Sequence, residues 1–281
     1  MTEGQFEADK ALHAVSPSFC PRPISWDKYK STPGPDSYFL LAEFREVGQQ
    51  PPEPLHFAAR LADLHKRSLS PTGKFGFHTT TCHGKTQQLT HLWEDSWETL
   101  YRKQLSHVFD IDRRQQTPWP EYEFYAQLVL DKCIERLLRP LQSDGRSIKP
   151  CLVHGNIWDG NTATDMETGE PFVFDGSAFY AHNEYELGNW RTPRHRLSSK
   201  TYIRTYKRHF PASEPGKSSA HSSHTRFTSL MSPYRGRLGL QKPALFSSIQ
   251  CDSCLPHPGK QLSPAVSKEP HYPYNIDILT R

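Results

Sequence analysis

The segment Cys151-Leu-Val-His-Gly-Asn-Ile-Trp-Asp-Gly-Asn161, taken with Pro171-Phe-Val-Phe-Asp175-Gly176, decides how this chain folds. Cys151, Leu152 and Val153 form a short apolar run that leads into His154-Gly155. Such a run, bounded by polar residues, has the pattern of a buried strand. Asn156 follows, at a position where a general base is expected. Asn161 opens a short strand to Asp165, the polar turn Met166-Glu-Thr-Gly169 reverses the chain, and Phe172-Val-Phe174 returns and ends at Asp175. In an antiparallel hairpin the start of one strand lies beside the end of the next. The spacing therefore predicts that Asn161 and Asp175 meet at the open end. An amide oxygen beside a carboxylate is a pair of hard ligands suited to Mg²⁺.

Outward from this hairpin the pattern is mostly helical. Residues 5–14 predict a helix with Phe6, Ala8, Leu12 and Val15 as its apolar members, stopped by Ser16-Pro17. Ile24–Trp26 and Tyr38–Phe44 predict two strands between proline-rich turns. Leu55–Lys66 has helical spacing, with His65 expected to be a packed residue. Trp93, Trp97 and Tyr101 recur at i, i+4 and i+8, which predicts one buried helix face. Tyr122–Leu138 predicts a long helix buried through Tyr125, Leu128, Val129, Cys133 and Leu137. Glu184 and Glu186 flank Tyr185 and are expected in a solvated loop or paired with Arg191 or Arg194. Ser198–Phe210 predicts a helix with Tyr202, Tyr206 and Phe210 on one face. From Ser213 to Arg281 the text turns to Ser, Pro, His and Lys without periodicity, which predicts disorder. Cys251 and Cys254 in this tail form a lone C-x-x-C, with neither a helix start nor a second ligand pair to make it a redox or zinc motif.

Composition narrows the function classes. A hydrophobic content of 35% with 24 prolines fits a globular part joined to an unfolded part. A net charge of +4 over 281 residues, without an ordered aromatic platform, gives no footprint for nucleic acid. No apolar run approaches the ~18 residues that span a bilayer, so no membrane partner is expected. The six cysteines lack framework spacing, and the N-terminus lacks the basic and apolar regions of a secretory signal, so reduced thiols and a cytoplasmic location are expected.

The residues also carry a family resemblance. His154-Gly-Asn-Ile-Trp-Asp-Gly-Asn161, Phe174-Asp175 and Tyr180-Ala-His-Asn-Glu-Tyr-Glu-Leu187 resemble the fructosamine/ketosamine-3-kinase family. Gly4–Pro17, Tyr38–Phe44, Leu61–His65 and Phe75-Gly-Phe77 extend the similarity over roughly residues 3 to 214. The resemblance implies an α+β, protein-kinase-like fold of the aminoglycoside-phosphotransferase type, with ATP and Mg²⁺ as cofactors. It implies phosphorylation of the sugar 3-hydroxyl of ketoamines (ribulosamine or fructosamine) on glycated proteins or small amines. Within that pattern Asn156 occupies the place of an Asp that orients the hydroxyl and accepts its proton, in the same catalytic loop as His154. Asn161 and Asp175 match the residues that hold Mg²⁺ on the phosphates. Leu41, Glu43 and Phe44 lie on the strand that lines the adenine pocket, and Trp158 and His182 fall near the sugar. The implied division is a small-lobe remnant with the lobe-connecting strand over 1–48, a helical large lobe with the catalytic hairpin over 49–213, and the tail over 214–281.

Three departures from the family pattern shape the functional expectation. Asn156 accepts a hydrogen bond but takes no proton at neutral pH, which is expected to cost on the order of 10²–10⁴ in rate. Gln5 stands where a Glu pairs with a phosphate-binding Lys. Few residues precede Gly4, so most of the small lobe, including the glycine-rich phosphate loop and its Lys, is expected to be missing. These features predict a family member with weak or no turnover. Two alternatives stay open: a binding protein that does not turn over, and a phosphotransferase for another small alcohol such as an aminoglycoside or choline.

Overall fold

The computed structural model describes residues 1–30, 35–115, 120–191 and 195–211. The first element is helix α1 (Thr2–Val15), which buries Gly4, Ala8 and Leu12 as one stripe at four-residue spacing. Gly4 is required where it stands: a Cβ there would lie 2.1 Å from the carbonyl oxygen of Thr80. The helix ends at Ser16, before Pro17, as the sequence predicts. Arg45 then ties the turn, donating to the carbonyls of Pro17 (3.0 Å) and Ser18 (2.8 Å).

Strands β1 (Pro23–Lys28) and β2 (Tyr38–Ala42) pair antiparallel, with Trp26 opposite Leu40 and an irregularity between Pro23 and Ser25. Helix α2 (Pro54–Arg67) starts with Glu53 accepting from the His56 N–H (2.8 Å) and with Pro54 in the first turn, where a missing N–H costs nothing. It buries Phe57, Ala58, Leu61, Ala62, Leu64 and His65, so His65 is a packed helix residue as expected.

Four short strands then make one antiparallel sheet from distant parts of the chain. They are β3 (Phe75–Gly76), β6 (Trp93–Glu94), β7 (Cys151–Val153) and β10 (Phe179–Ala181), in the order β6-β3-β10-β7. Between β3 and β6 lies a small hairpin, β4 (Cys82–His83) with β5 (Thr86–Gln87). The hairpin read from the sequence forms as β8 (Thr162–Thr164) and β9 (Pro171–Val173), with Thr162 opposite Val173 and Thr164 opposite Pro171. Helix α3 (Trp97–Gln115) packs on β3 and β6, α5 (Ile134–Leu138) packs on α3 and follows α4 (Pro120–Leu128), and α6 (Lys200–His209) packs on α2, with Tyr202 and Tyr206 in the core.

Several sequence expectations are corrected. Trp93 is in β6 opposite Gly76, not on the helix with Trp97 and Tyr101. The Leu100 and Thr99 N–H groups bond to the Ser96 backbone carbonyl (3.1 Å) and hydroxyl (3.3 Å), so the helix begins after Trp93. Trp97 and Tyr101 are fully buried, so the core assignment stands for those two. The helix over Tyr122–Leu138 contains a π turn, Val129–Cys133, between α4 and α5. A π turn admits one extra residue and rotates the buried stripe, so Ala126, Leu130, Ile134 and Leu138 join the core while Tyr125 and Leu128 stay partly exposed. Strand β10 was not anticipated, because its alternation is hidden in a run apolar on both faces. The expected disordered tail over 214–281, with Cys251 and Cys254, lies outside the described residues.

Candidate active site

Strand β7 delivers the chain to His154, and four contacts fix the loop that follows. The His154 carbonyl accepts from the Ser177 N–H (2.9 Å). Gly155 has φ +78°, and a Cβ there would stand 2.6 Å from the Ser177 carbonyl oxygen, so only glycine allows this approach. The His154 ring reaches the Phe174 carbonyl through Nε2 (3.0 Å), while Nδ1 faces the Asn156 N–H (3.3 Å). A carbonyl only accepts and an amide N–H only donates, so the imidazole is neutral with its proton on Nε2. Burial pushes its pKa down, against the opposing pull of Glu186 and Asp175. His154, expected to be catalytic, is fully buried, and its ring contacts hold the loop.

Glu186 completes the support. Its carboxylate accepts the His154 N–H through Oε2 and the Gly155 N–H through Oε1 (3.1 Å), with His65 Nε2 3.6 Å from Oε2. The expectation of solvated acids at 184 and 186 is therefore wrong, since both are buried. Arg194 and the side chain of Arg191 lie outside the described residues. A signal was present: the two acids sit among Phe179, Tyr180, Tyr185, Leu187 and Trp190, and an acid amid apolar residues usually has an internal partner.

Asn161 and Asp175 come together at the open end of the hairpin. The Phe174 N–H donates to the Asn161 carbonyl (3.2 Å), and Asn161 Nδ2 donates to Asp175 Oδ2 (3.3 Å) and to the Asn156 carbonyl (2.9 Å). The last bond fixes the amide orientation, with Nδ2 on the carbonyl and Oδ1 as the acceptor of the side chain. Asp175 adopts φ 58°, a left-handed conformation that Asp tolerates better than most residues. Asn156, 5% exposed, donates through Nδ2 to Asp175 Oδ2 (3.2 Å) and to its carbonyl (3.3 Å). Helix α1 reaches the same place, with Gln5 Nε2 donating to Asp175 Oδ1 (3.0 Å) and Asp9 accepting from the Gly176 N–H (3.0 Å). Burial, with Asp175 nearby, pushes the Asp9 carboxyl up to about 7, although the Gly176 bond opposes the shift. Among the described residues no cluster of three or more His, Cys, Asp or Glu makes a protein-only metal site. The donor set here is one carboxylate and one amide oxygen. That fits a Mg²⁺ which takes its other ligands from phosphate and water.

The remaining expected site residues divide. Trp158 stands at the surface, 42% exposed, with its ring over Gly160 and edge-on to His195 at 6.0 Å. Its loop is held by Asp159, which accepts from the Arg196 (2.7 Å) and Leu197 (3.1 Å) N–H groups. His182, expected near the sugar, is buried at 1% exposure. Leu41 in β2 and Phe44 just beyond it are exposed. Glu43 is engaged elsewhere, its N–H donating to the Arg22 carbonyl (2.8 Å) and its carboxylate accepting from the Arg22 N–H (2.9 Å) and Arg45 (3.1 Å). These donors, the Arg22 N–H first, hold its pKa below the usual range.

A small antiparallel sheet, a buried loop after β7 and a hairpin that brings Asn161 to Asp175, packed with helices, make a protein-kinase-like fold. Solved structures agree. A fructosamine-3-kinase so assigned from Haemophilus somnus superposes with a TM-score of 0.65 at 15% identity, covering 88% of this chain and 77% of that one. A thermostable mutant of the aminoglycoside phosphotransferase APH(4)-Ia gives 0.55 at 16% identity, covering 89% and 82%. A sequence profile described as fructosamine kinase matches residues 1–220, and this chain belongs to that family. Among curated relatives, a chloroplastic protein-ribulosamine 3-kinase of Oryza sativa subsp. indica is 30% identical over 191 residues, 67% of this chain. The chain spans 51% of that relative's length. The ketosamine-3-kinase of Mus musculus is 29% identical over 210 residues, covering 66% of this chain and 63% of its own.

Proposed function

We propose that this chain acts as a ketosamine 3-kinase, transferring phosphate from ATP to the sugar 3-hydroxyl of ribulosamine or fructosamine adducts on glycated proteins or small amines. The observation that carries the reading is the juxtaposition of Asn161 and Asp175 beside the buried loop His154–Asn156. Asn161 Oδ1 and the Asp175 carboxylate would hold Mg²⁺, which supplies charge neutralisation on the phosphates when bound. Asn156 orients the hydroxyl by accepting its hydrogen bond but leaves the proton to solvent, so turnover falls on the order of 10²–10⁴ below that of an acid at this position. Trp158 gives the sugar an exposed aromatic wall. Leu41 and Phe44 give the adenine an apolar strand. The cytoplasm remains our location for the chain, supported by the unbridged thiols at Cys20, Cys82 and Cys151, which suit a reducing compartment.

A second reading, a protein that binds nucleotide or ketoamine without turnover, is favoured by one observation: the Asn156 amide is turned toward Asp175 as a donor. Phosphate transfer from radiolabelled ATP to fructosyl-lysine and ribulosyl-lysine separates the two. Slow, Mg²⁺-dependent transfer supports the kinase. A thermal shift with Mg-ATP but no transfer supports the binder, and neither signal would reject both.

A further inference from the structure

Three side-chain amides converge on one carboxylate. Gln5 Nε2 donates to Asp175 Oδ1 at 3.0 Å, and Asn156 Nδ2 (3.2 Å) and Asn161 Nδ2 (3.3 Å) both donate to Oδ2. None of these orientations is arbitrary. Asn161 also donates to the Asn156 carbonyl, Asn156 to the Asp175 carbonyl, and Gln5 faces a carboxylate oxygen, so each amide nitrogen points at an atom that can only accept. An ionised carboxylate offers about four lone-pair sites, and three are filled here. Hydrogen bonds to a charged oxygen are the stronger kind.

We propose that Gln5 and Asn156 act as a clamp that controls divalent-cation access to Asp175. The inference rests on the reading of Asn161 and Asp175 as the cation's ligands. Asn161 keeps Nδ2 on the Asn156 carbonyl and so can offer Oδ1 to a cation without turning its amide. Gln5 fills one of the two lone pairs of Oδ1, and Asn156 with Asn161 fills both of Oδ2, so a cation shares Oδ1 with Gln5 and reaches Oδ2 only when an amide lets go. Gln5 and Asn156 come from segments far apart in the sequence and reach the same group. An acid at either position offers no N–H and makes no clamp. In the nucleotide-free protein Asp175 is therefore satisfied by amides, and a cation enters when a polyphosphate supplies the rest of its ligands.

The test is Mn²⁺ binding to the nucleotide-free full chain, read by electron paramagnetic resonance, with melting in Mn²⁺ against melting in chelator as a second readout. The variants are Gln5→Ala, Asn156→Ala and Asn156→Asp. Removing either donor without adding charge is expected to tighten Mn²⁺ by about ten-fold, the scale of one charge-assisted hydrogen bond. Gln5→Ala carries the test if the buried site tolerates no change at 156, because the Gln5 contact is at the surface. Equal Mn²⁺ affinity in wild type and both alanine variants overturns the clamp while leaving the cation site intact. Tightening by Asn156→Asp alone overturns it too, since added charge then accounts for the effect. No Mn²⁺ binding in any variant, with or without an ATP analogue, removes the cation site itself and the clamp with it.

Discussion

Replacing Glu186 with Gln tests how the loop His154–Asn156 is held. In the native protein each carboxylate oxygen takes one backbone N–H, Oε2 from His154 and Oε1 from Gly155. Gln has the same shape but only one oxygen, so its NH₂ must confront one of the two donors. A hydrogen bond to a charged group contributes about 1.5–3 kcal/mol, and a buried donor left unmatched costs about 1–3 kcal/mol. One bond is lost and the other weakened, while removal of a buried charge offsets part of the loss, so about 2 kcal/mol of destabilisation is expected. Glu186→Ala strands both donors and is expected to cost about 3–5 kcal/mol. Urea unfolding gives the global figure, and amide hydrogen exchange at His154 and Gly155 gives the local one. If Glu186→Gln shifts stability by less than about 0.5 kcal/mol, the size of an ordinary surface change, and leaves both amides as protected as in wild type, the loop is not anchored by this carboxylate.

Two further outcomes follow from the same region. The Asp9 carboxyl is raised from 3.8 to about 7 in the folded protein, so the native state holds its proton while the unfolded chain ionises. Stability is therefore lost as pH rises between these values, and Asp9→Asn is expected to gain on wild type by roughly 2–3 kcal/mol between pH 5 and pH 8, at 1.36 kcal/mol per unit. Urea midpoints of both proteins at the two pH values check this, and a constant difference would count against it. Gly155→Ala forces a Cβ against the Ser177 carbonyl at φ +78° and is expected to destabilise by about 2–4 kcal/mol. A thermal melt unchanged by that substitution would show that the loop moves freely past Ser177.

The hairpin was legible because its information is local: strand period, turn residues and the lengths between them place Asn161 beside Asp175 with no knowledge of the rest of the fold. Helix α2 and helix α6 were legible for the same reason, through their buried faces at helical spacing. Trp93 was misread because three aromatics at spacing four fit a helix, and only the cap at Ser96 moves the boundary. The π turn left no periodic trace before it occurred. Glu186 was misassigned because its role depends on what lies opposite it, and β10 with its partners is assembled from segments as far apart as Gly76 and Tyr180.

The sequence alone settled the pairing of two cation-type oxygens on a β-ribbon and the presence of an amide where an acid is expected, since both are properties of neighbours along the chain. Tertiary structure alone decided where the amides point. Gln5 reaches Asp175 only because Gly4 lets helix α1 press against Thr80, and no spacing in the sequence encodes that approach. Hydrogen-bond direction is set by the partner across space, and the partner is chosen by packing.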